Sequence, residues 1–356
     1  MAKKLMKGNE VIAAAAINAG CRYFFGYPIT PQNEIPEYMS RELPKVGGVY
    51  VQAESEVAAI NMVYGAAGAG ARVLTSSSSP GISLMQEGIS YIAGAELPCV
   101  LVNIMRSGPG LGGVQPSQAD YFQATKGGGH GDYHVLVLAP ANLQEAADLT
   151  QLAFDLADRY RNPVMVLADG MIGQLMEPVE LLPCRPAVDL PPKDWATTGT
   201  ATSGGRKRVI NSLYLYPDEL EQHVRALYVK YAAMERTEVR YELHQCDDAD
   251  VVIVAYGTTS RIARSAVEKC RRLGLRVGLL RPITLYPFPF AAFDQVVARA
   301  QAFLVVEMSM GQMLDDVKIA VAGRKPISFY GRTGGIVPTP EEVVKQVQAL
   351  SKGGGA

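Results

Sequence analysis

Residues 73–104 read VLTSSSSPGISLMQEGISYIAGAELPCVLVNI. The pattern predicts a strand at 73–75, a helix over 82–93 and a second strand at 100–104. The second strand is a nearly continuous apolar run, which is typical of a buried parallel strand. The same alternation of strand and helix runs from residue 9 to about residue 167. We therefore expect a doubly wound, mostly parallel α/β sheet in this half of the chain.

The rest of the chain divides into two further segments. From residue 183 to about 246 the sequence is rich in proline and polar residues and contains one charged amphipathic helix, about 218–235. A second alternating pattern begins near residue 250. We predict an α/β protein with two doubly wound domains: a first domain over 1–185, a linker with a helical arm over 186–245, and a smaller domain over 246–356.

Composition excludes several classes of function. The 356 residues include 34 Lys+Arg and 35 Asp+Glu, so the formal net charge is 34 − 35 = −1. Such a balance gives no basic field for binding nucleic acid. No apolar run approaches the roughly 18 residues of a membrane-spanning helix, and the start of the chain does not resemble a signal peptide. We expect a cytoplasmic protein with neither nucleic acid nor membrane as a partner.

Metal-binding spacings are missing from the sequence. The five cysteines are at least 24 positions apart, so there is no Cys-x-x-Cys for zinc or an iron–sulfur cluster. His130 and His134 lie among glycines, which favours a loop rather than a helix carrying metal ligands. We therefore assign no metal site to this chain, and we expect the cysteines to be reduced and mostly buried.

Loops after the predicted strands are the places where chemistry is expected, because ligands bind at the carboxyl ends of strands in open α/β sheets. After the first strand, Thr30 is predicted to cap a helix that begins at Pro31. Residues 76–81 place four serines before the next helix, and residues 105–117 form a glycine-rich loop. No loop fits the phosphate-binding pattern G-x-x-x-x-G-K-[ST], and no dinucleotide-binding G-x-G-x-x-G follows the first strand.

Charged residues near these loops allow two interpretations. Glu54 and Glu56 precede a helix of small residues over 56–70, and a carboxylate is favoured there by the helix dipole alone. Arg106 either binds a ligand or has a structural role, in which it caps a loop or pairs with Asp120. Glycines inside a helix are unfavourable by about 1 kcal/mol relative to alanine. The glycines inside the small-residue helix therefore predict that another element packs closely against this helix, and we expect that element to belong to another subunit.

Taken in this order, the loops resemble the α subunit of the 2-oxoacid:ferredoxin oxidoreductases, which are thiamine-diphosphate enzymes. The resemblance rests on YPITP at 27–31, the acidic residue before the small-residue helix, and RSGP at 106–109. QPSQAD at 115–120 and KGGGHGD at 126–132 resemble the branch that uses branched-chain 2-oxoacids or 2-oxoglutarate. LRPITLYPFP at 280–289 resembles the second domain of that family, which is similar to the transketolase C-terminal domain.

The resemblance implies that this chain forms half of an active site. Residues 1–185 would be the domain that binds the pyrimidine ring of thiamine diphosphate, and 246–356 would be the transketolase C-terminal-like domain. A separate β subunit would hold the diphosphate and Mg²⁺, since the chain lacks the Gly-Asp-Gly pattern expected for them. Iron–sulfur clusters are expected in partner subunits, including γ and ferredoxin-like δ subunits. Ferredoxin would accept electrons, and coenzyme A would accept the acyl group.

The resemblance also assigns roles to residues. Glu56 lies nine positions before Gly65, as the family's catalytic glutamate lies before a glycine, and Glu54 is the competing candidate. Arg106 and Thr30 would bind the substrate. The residues expected at the cofactor are Glu56, Tyr27, Pro28, Ile29, Thr30, Ser78, Pro80 and Gly81. The expected reaction is oxidative decarboxylation of a 2-oxoacid to acyl-CoA and CO₂.

Three alternatives remain open at this point. The substrate is expected to be a branched-chain 2-oxoacid, with 2-oxoglutarate as the second choice. The chain would instead be a non-catalytic scaffold subunit if the site were degenerate, which the joint presence of Glu56, Thr30 and Arg106 argues against. A transketolase-type enzyme, which transfers its carbon unit to an aldehyde, would lack partner subunits that carry iron–sulfur clusters.

Overall fold

The computed structural model describes residues 3–183, 190–202 and 204–353. Cys184 and the start of the predicted linker lie outside these ranges. Fourteen strands are found in the described residues: β1 (Lys4–Lys7), β2 (Tyr23–Gly26), β3 (Val49–Gln52), β4 (Val73–Ser77), β5 (Cys99–Met105), β6 (Leu136–Leu138), β7 (Pro163–Asp169), β8 (Met176–Val179), β9 (Tyr241–His244), β10 (Val251–Val254), β11 (Val277–Pro282), β12 (Thr284–Tyr286), β13 (Ala302–Glu307) and β14 (Ile327–Gly331).

The α-helices of the described residues alternate with these strands, and a short 3-10 helix covers Pro44–Val46. They are α1 (Gly8–Asn18), α2 (Glu34–Glu42), α3 (Glu56–Gly68), α4 (Ser79–Gly94), α5 (Tyr121–Thr125), α6 (Leu143–Tyr160), α7 (Gly170–Gln174), α8 (Pro217–Thr237), α9 (Gly257–Arg272), α10 (Phe290–Val297), α11 (Met313–Val321) and α12 (Pro340–Gly353).

The first sheet has seven strands in the order β12-β6-β7-β5-β4-β2-β3. All neighbours are parallel except β12, which pairs with β6 in the antiparallel sense. Central strand β5 is buried along its whole length. Its residues alternate between two cores: Leu101 packs with α3 and α4, whereas Val100 and Val102 pack with α1, α2 and α6. Helices cover both faces, which confirms the predicted doubly wound α/β fold.

The second sheet has five strands in the order β14-β13-β10-β11-β9. Strands β10, β11, β13 and β14 are parallel, and β9 is antiparallel to β11. Helices α9 and α12 cover one face, while α10 and α11 lie on the other. Strand β9 precedes residue 246, and β12 belongs to the first sheet. Each sheet therefore contains one strand from the other side of the predicted domain boundary at residue 246. The position of that boundary stays a prediction.

The helical arm is packed against the first domain. Helix α8 covers Pro217–Thr237, close to the predicted 218–235. Leu227, Tyr231 and Met234 are buried in the core that α1 and α6 share. None of the helices in the described residues has the length and apolarity needed to cross a bilayer.

The two domains are joined by a continuous apolar core and by a set of hydrogen bonds, several of which are made by one buried glutamine. Gln118 is fully buried. Its amide donates to the carbonyl of Tyr256 at 2.8 Å and accepts from the Met308 N–H at 3.0 Å and the Thr259 hydroxyl at 3.1 Å. All three partners lie in the second domain. The QPSQAD segment therefore fixes how the domains dock.

We predict that Gln118→Ala lowers the free energy of unfolding by about 2–4 kcal/mol. The substitution leaves the buried Met308 N–H without its partner, at a cost of about 1–3 kcal/mol, and removes one of the hydrogen bonds to the Tyr256 carbonyl, worth about 1 kcal/mol. Urea denaturation of the full chain measures the effect. Gln222→Ala, at an exposed position of α8, is the control, and it should change stability by less than about 0.5 kcal/mol. Equal effects of the two substitutions would contradict this assignment.

Candidate active site

Strands β2, β3, β4 and β5 are parallel neighbours, so their carboxyl ends open onto one edge of the first sheet. The loops that follow them are 27–33, 53–55, 78 and 106–120. These loops contain every site residue expected from the sequence, apart from Glu56, Pro80 and Gly81 at the starts of the adjoining helices. The fold therefore brings the predicted residues to the same edge.

The loop after β2 is held by its backbone. Buried Gln32 donates to the carbonyl of Tyr27 at 3.3 Å, and Arg106 donates to the carbonyl of Thr30 at 3.1 Å. Asn9 donates to the carbonyl of Pro31 at 2.8 Å. Because the carbonyls make these bonds, the side chains are left at the surface of the crevice. Tyr27, Pro28 and Thr30 are exposed there, and Ile29 is partly buried.

The predicted start of the following helix is wrong. Helix α2 begins at Glu34, and its N-cap residue is Asn33 rather than Thr30. The carbonyls of Thr30 and Pro31 are bonded to the side chains of Arg106 and Asn9. Those bonds come from distant parts of the chain and turn this segment into a separate loop.

Glu54 and Glu56 occupy different environments. Glu54 is exposed, whereas Glu56 is 5 % exposed and is the first residue of α3. The Glu56 carboxylate lies 3.5 Å from the Ser77 hydroxyl. A Cβ atom on Gly81 would lie 2.5 Å from that carboxylate and 2.0 Å from the Ser77 oxygen. Glycine at 81 therefore allows the Glu56 carboxylate to lie against the start of α4.

The serine-rich turn carries a buried hydroxyl that no protein atom satisfies. Ser78 is fully buried at the N-cap of α4, and its Oγ has no hydrogen-bond partner. Pro80 is partly buried and Gly81 is buried beside it. An unsatisfied buried hydroxyl is unfavourable by roughly 1–3 kcal/mol, so a polar ligand at this turn would relieve a cost that the free chain bears.

Arg106 is a buried cation with no carboxylate against it. It is 7 % exposed, and its guanidinium donates to the carbonyls of Thr30 and Leu111, each at 3.1 Å. Its Nε has no partner. No acidic side chain among the described residues forms an ion pair with it. Burying an unpaired charge is unfavourable, so this environment favours a bound anion.

Asp120, the alternative partner of Arg106, bonds elsewhere. Its Oδ2 accepts from the Ser79 hydroxyl at 2.6 Å and from the Asn103 amide at 3.0 Å. Burial raises the pKa of the Asp120 carboxyl, and these two hydrogen bonds partly oppose that shift. Sequence reasoning missed Asn103, although a polar residue inside the apolar run 100–104 was a signal for it.

Two other predicted features lie away from this edge. The KGGGHGD loop packs along α4, where a Cβ on Gly128 would lie 2.6 Å from the Gln86 side chain. Gly65 has no atom within 4 Å of such a position, and the close contact between α3 and α4 is made by Gly88 against Ile60. A contact of Gly65 and Gly68 with another subunit stays a prediction.

The described residues contain no group of three or more His, Cys, Asp or Glu side chains arranged to hold a metal ion. The described cysteines, Cys21, Cys99, Cys246 and Cys270, are free and buried. Burial raises the pKa of Cys21 to about 12, so this thiol stays protonated at neutral pH.

Family comparisons agree with this geometry. Residues 14–242 match the family described as pyruvate flavodoxin/ferredoxin oxidoreductase, thiamine diphosphate-binding, and residues 249–343 match pyruvate:ferredoxin oxidoreductase core domain II. The chain belongs to the 2-oxoacid:ferredoxin oxidoreductase family. The resemblance seen in the loops is thereby confirmed, and the chain is a subunit of an oxidoreductase.

Individual relatives cover nearly the whole chain. It is 50 % identical over 351 residues to ketoisovalerate oxidoreductase subunit VorB of Methanothermobacter marburgensis, covering 99 % of both proteins. It is 38 % identical to 2-oxoglutarate synthase subunit KorA of Methanocaldococcus jannaschii, covering 98 % of this chain and 100 % of that one.

Two solved structures share the fold. The first is 2-oxoglutarate:ferredoxin oxidoreductase from Magnetococcus marinus with 2-oxoglutarate, coenzyme A and succinyl-CoA bound. Its TM-score is 0.86 at 29 % identity, and the match covers 98 % of this chain but 65 % of that one. The second is a split-gene transketolase, an inactive beta4 tetramer, with a TM-score of 0.61 at 12 % identity over 97 % of each chain. At that identity the likeness concerns the fold alone.

Proposed function

We propose that this chain is the α subunit of an enzyme that oxidatively decarboxylates a branched-chain 2-oxoacid. The products are CO₂ and the branched acyl-CoA, and the electrons pass to ferredoxin. The observation that carries the proposal is the buried, unpaired guanidinium of Arg106 at the same sheet edge as the buried carboxylate of Glu56. A cation suits the substrate carboxylate, and a carboxylate suits a protonated ring nitrogen of the cofactor.

Residues at this edge fit the aminopyrimidine half of thiamine diphosphate. The Ser78 hydroxyl is buried and unsatisfied, and Gly81 leaves space beside the Glu56 carboxylate. When bound, thiamine diphosphate supplies a carbon nucleophile for the oxoacid carbonyl and accepts the electron pair left by CO₂. The residues proposed to contact it are Glu56, Tyr27, Pro28, Ile29, Thr30, Ser78, Pro80 and Gly81.

Glu56 would act on the cofactor through a hydrogen bond. Its carboxylate would accept a hydrogen bond from a protonated nitrogen of the pyrimidine ring, and its negative charge would stabilise the protonated state of that ring. The position of Glu56 at the first turn of α3 is fixed by Ser55, whose hydroxyl accepts from the Ala58 N–H at 3.2 Å. Exposed Glu54 has no comparable contact with the serine turn.

Arg106 and Thr30 would hold the oxoacid. The planar guanidinium offers two parallel N–H groups to a carboxylate, and its unpartnered Nε leaves donor capacity for one. Thr30 contributes its exposed side chain beside the same guanidinium. Since the carboxylate leaves as neutral CO₂, a very strong clamp would stabilise the ground state more than the transition state. We therefore assign Arg106 mainly to substrate binding.

A separate β subunit would complete the site. The chain lacks the Gly-Asp-Gly pattern, so we assign the diphosphate and Mg²⁺ to that subunit and the iron–sulfur clusters to partner subunits. Gamma and ferredoxin-like δ subunits are the expected additional partners. The naming of its relatives as subunits supports an assembly of several chains. We place this assembly in the cytoplasm.

The choice of substrate follows the relatives. Those at 50 % identity are named for ketoisovalerate, and those at 38 % are named for 2-oxoglutarate. 2-Oxoglutarate carries a second carboxylate, so its binding requires a further cationic or polar side chain to contact that group. The scaffold alternative is disfavoured because Glu56, Thr30 and Arg106 all lie at one sheet edge.

We predict that the complex with its partner subunits oxidises ketoisovalerate faster than 2-oxoglutarate or pyruvate. The assay is coenzyme-A-dependent reduction of a low-potential viologen dye. The isolated chain should be inactive, because half of the cofactor site is missing. A complex that prefers 2-oxoglutarate would overturn the substrate assignment, and one that transfers the carbon unit to an aldehyde without reducing the dye would favour transketolase chemistry. Turnover by the isolated chain would overturn the proposed division between subunits.

We predict that Glu56→Gln slows proton exchange at the thiazolium C2 of the bound cofactor by about 10²–10⁴-fold. Glutamine keeps a hydrogen bond but lacks the negative charge that stabilises a protonated ring. The exchange is measured by quenched-flow deuterium labelling of the assembled complex. Glu54→Gln is the matched control and should leave the rate unchanged. The reverse result would make Glu54 the catalytic carboxylate.

We predict that Arg106→Ala lowers kcat/KM for the oxoacid. The activation free energy that kcat/KM reports should rise by about 2–3 kcal/mol, the range for losing a hydrogen bond to a charged group. Arg106→Lys keeps the charge but loses the planar fork, so it should raise KM more than it lowers kcat. Steady-state kinetics of the complex measure both variants. Arg225→Ala, at an exposed position of α8, is the control. An unchanged KM in Arg106→Ala would make Arg106 a structural residue.

A further inference from the structure

A buried network lies directly under the backbone of Arg106. The Ser79 hydroxyl accepts from the Arg106 N–H at 3.0 Å and lies 2.6 Å from Asp120 Oδ2. Asn103 donates to the same carboxylate oxygen at 3.0 Å and accepts from the Ser79 N–H at 3.1 Å. One hydroxyl therefore connects the Asp120 carboxylate to the main chain of Arg106.

The direction of these bonds follows from the single hydrogen of the Ser79 hydroxyl. Asp120 Oδ2 at 2.6 Å is closer than the Arg106 carbonyl at 3.2 Å, and a bond to a carboxylate is the stronger one. The hydroxyl thus donates to Asp120, and its lone pair remains for the Arg106 N–H. Removing the Asp120 carboxylate would free the hydroxyl to rotate toward the Arg106 carbonyl and would loosen this arrangement.

Ser79 is also held in an unfavourable backbone conformation. Its φ is +22°, a region that non-glycine residues rarely adopt and that costs of order 1–3 kcal/mol. The residue lies between Ser78 and Pro80, which are both proposed to contact the cofactor. The network that holds Ser79 therefore fixes the serine turn and the start of the 106–120 loop together.

Asp120 acts on Arg106 through geometry rather than charge. The Asp120 carboxylate forms no ion pair with the guanidinium, and its bonds go to Ser79 and Asn103. The guanidinium itself is directed by the carbonyls of Thr30 and Leu111. The backbone of Arg106 must be fixed for those two bonds to hold the guanidinium in one place.

We propose that Asp120 and Ser79 are positioning residues that hold Arg106 for recognition of the substrate carboxylate and connect it to the serine turn. The proposal rests on the proposed function of Arg106 in binding the oxoacid. It goes beyond that function because neither residue needs to touch substrate or cofactor. A purely structural role would change stability without acting selectively on KM.

The test uses kinetics of the assembled complex with ketoisovalerate. Asp120→Ala and Ser79→Gly should each raise KM roughly tenfold while kcat changes less than about threefold. Ser79→Gly removes the hydroxyl but also relieves the positive φ, so it should fold even if Asp120→Ala does not. Asp120→Asn should restore a KM near that of the wild type, because both hydrogen bonds end on one oxygen, which an amide carbonyl can replace. Exposed Asp132→Ala is the control.

A double-mutant cycle shows whether Ser79 acts on KM by positioning Arg106 or acts independently of Arg106. In an Arg106→Ala background, Ser79→Gly should produce no further rise in KM, since the group that it positions is gone. A full additional tenfold rise would overturn the proposal, as would an unchanged KM in both Asp120→Ala and Ser79→Gly.

Amide hydrogen exchange of the full chain provides a readout that does not depend on turnover. Ser79→Gly and Asp120→Ala should speed exchange in peptides that contain the Arg106 N–H by at least tenfold, whereas Asp120→Asn and Asp132→Ala should not. If no oxoacid is oxidised by the wild-type complex but this exchange pattern is found, the proposed function fails and the positioning of Arg106 stands. Unchanged exchange in Ser79→Gly would overturn the positioning itself.

Discussion

Arg106 is a buried cation whose guanidinium, among the described residues, donates its hydrogen bonds to carbonyl oxygens, and the shape of the site depends on how it is held. The carbonyls of Thr30 and Leu111 belong to two different loops, 27–33 and 106–120. Carbonyl dipoles make such burial tolerable without cancelling the charge, which a carboxylate would do. A single side chain thus joins two walls of the crevice and keeps its capacity to attract an anion.

The sequence predicts most reliably the elements whose signal is local. Strand β5 is buried on both faces, so its apolar run is continuous and the prediction of 100–104 lies within the observed Cys99–Met105. The start of α2 was not predictable from capping rules, because Asn9 and Arg106 bind the carbonyls of Thr30 and Pro31 from distant positions. The exchange of β9 and β12 between the sheets is likewise decided by long-range pairing.

The candidate site shows the same division. Glu56 is the first residue of α3 and lies against the serine turn, where a Cβ on Gly81 would lie 2.5 Å from its carboxylate, whereas Glu54 is exposed. The preference for Glu56 over Glu54 as the catalytic carboxylate stays a prediction. The surroundings of Arg106 needed the fold, since sequence alone left pairing with Asp120 open. Ser79 gives no sequence signal of its special conformation, because its neighbours 76–78 are identical serines. Only the packing of Asn103 and Asp120 distinguishes it.

The segment 118–120, part of QPSQAD, connects the docking of the second domain to the network beneath Arg106. Gln118 is bonded to Tyr256 and Met308 of the second domain, and two residues later Asp120 is bonded to Ser79 beneath Arg106. A chain of three residues has little freedom to absorb a displacement at one end without moving the other. The docking of the second domain therefore helps to set the position of Asp120, and through Ser79 it bears on the backbone of Arg106. The second domain contributes to the site in this way although its own residues lie outside the loops that form the crevice.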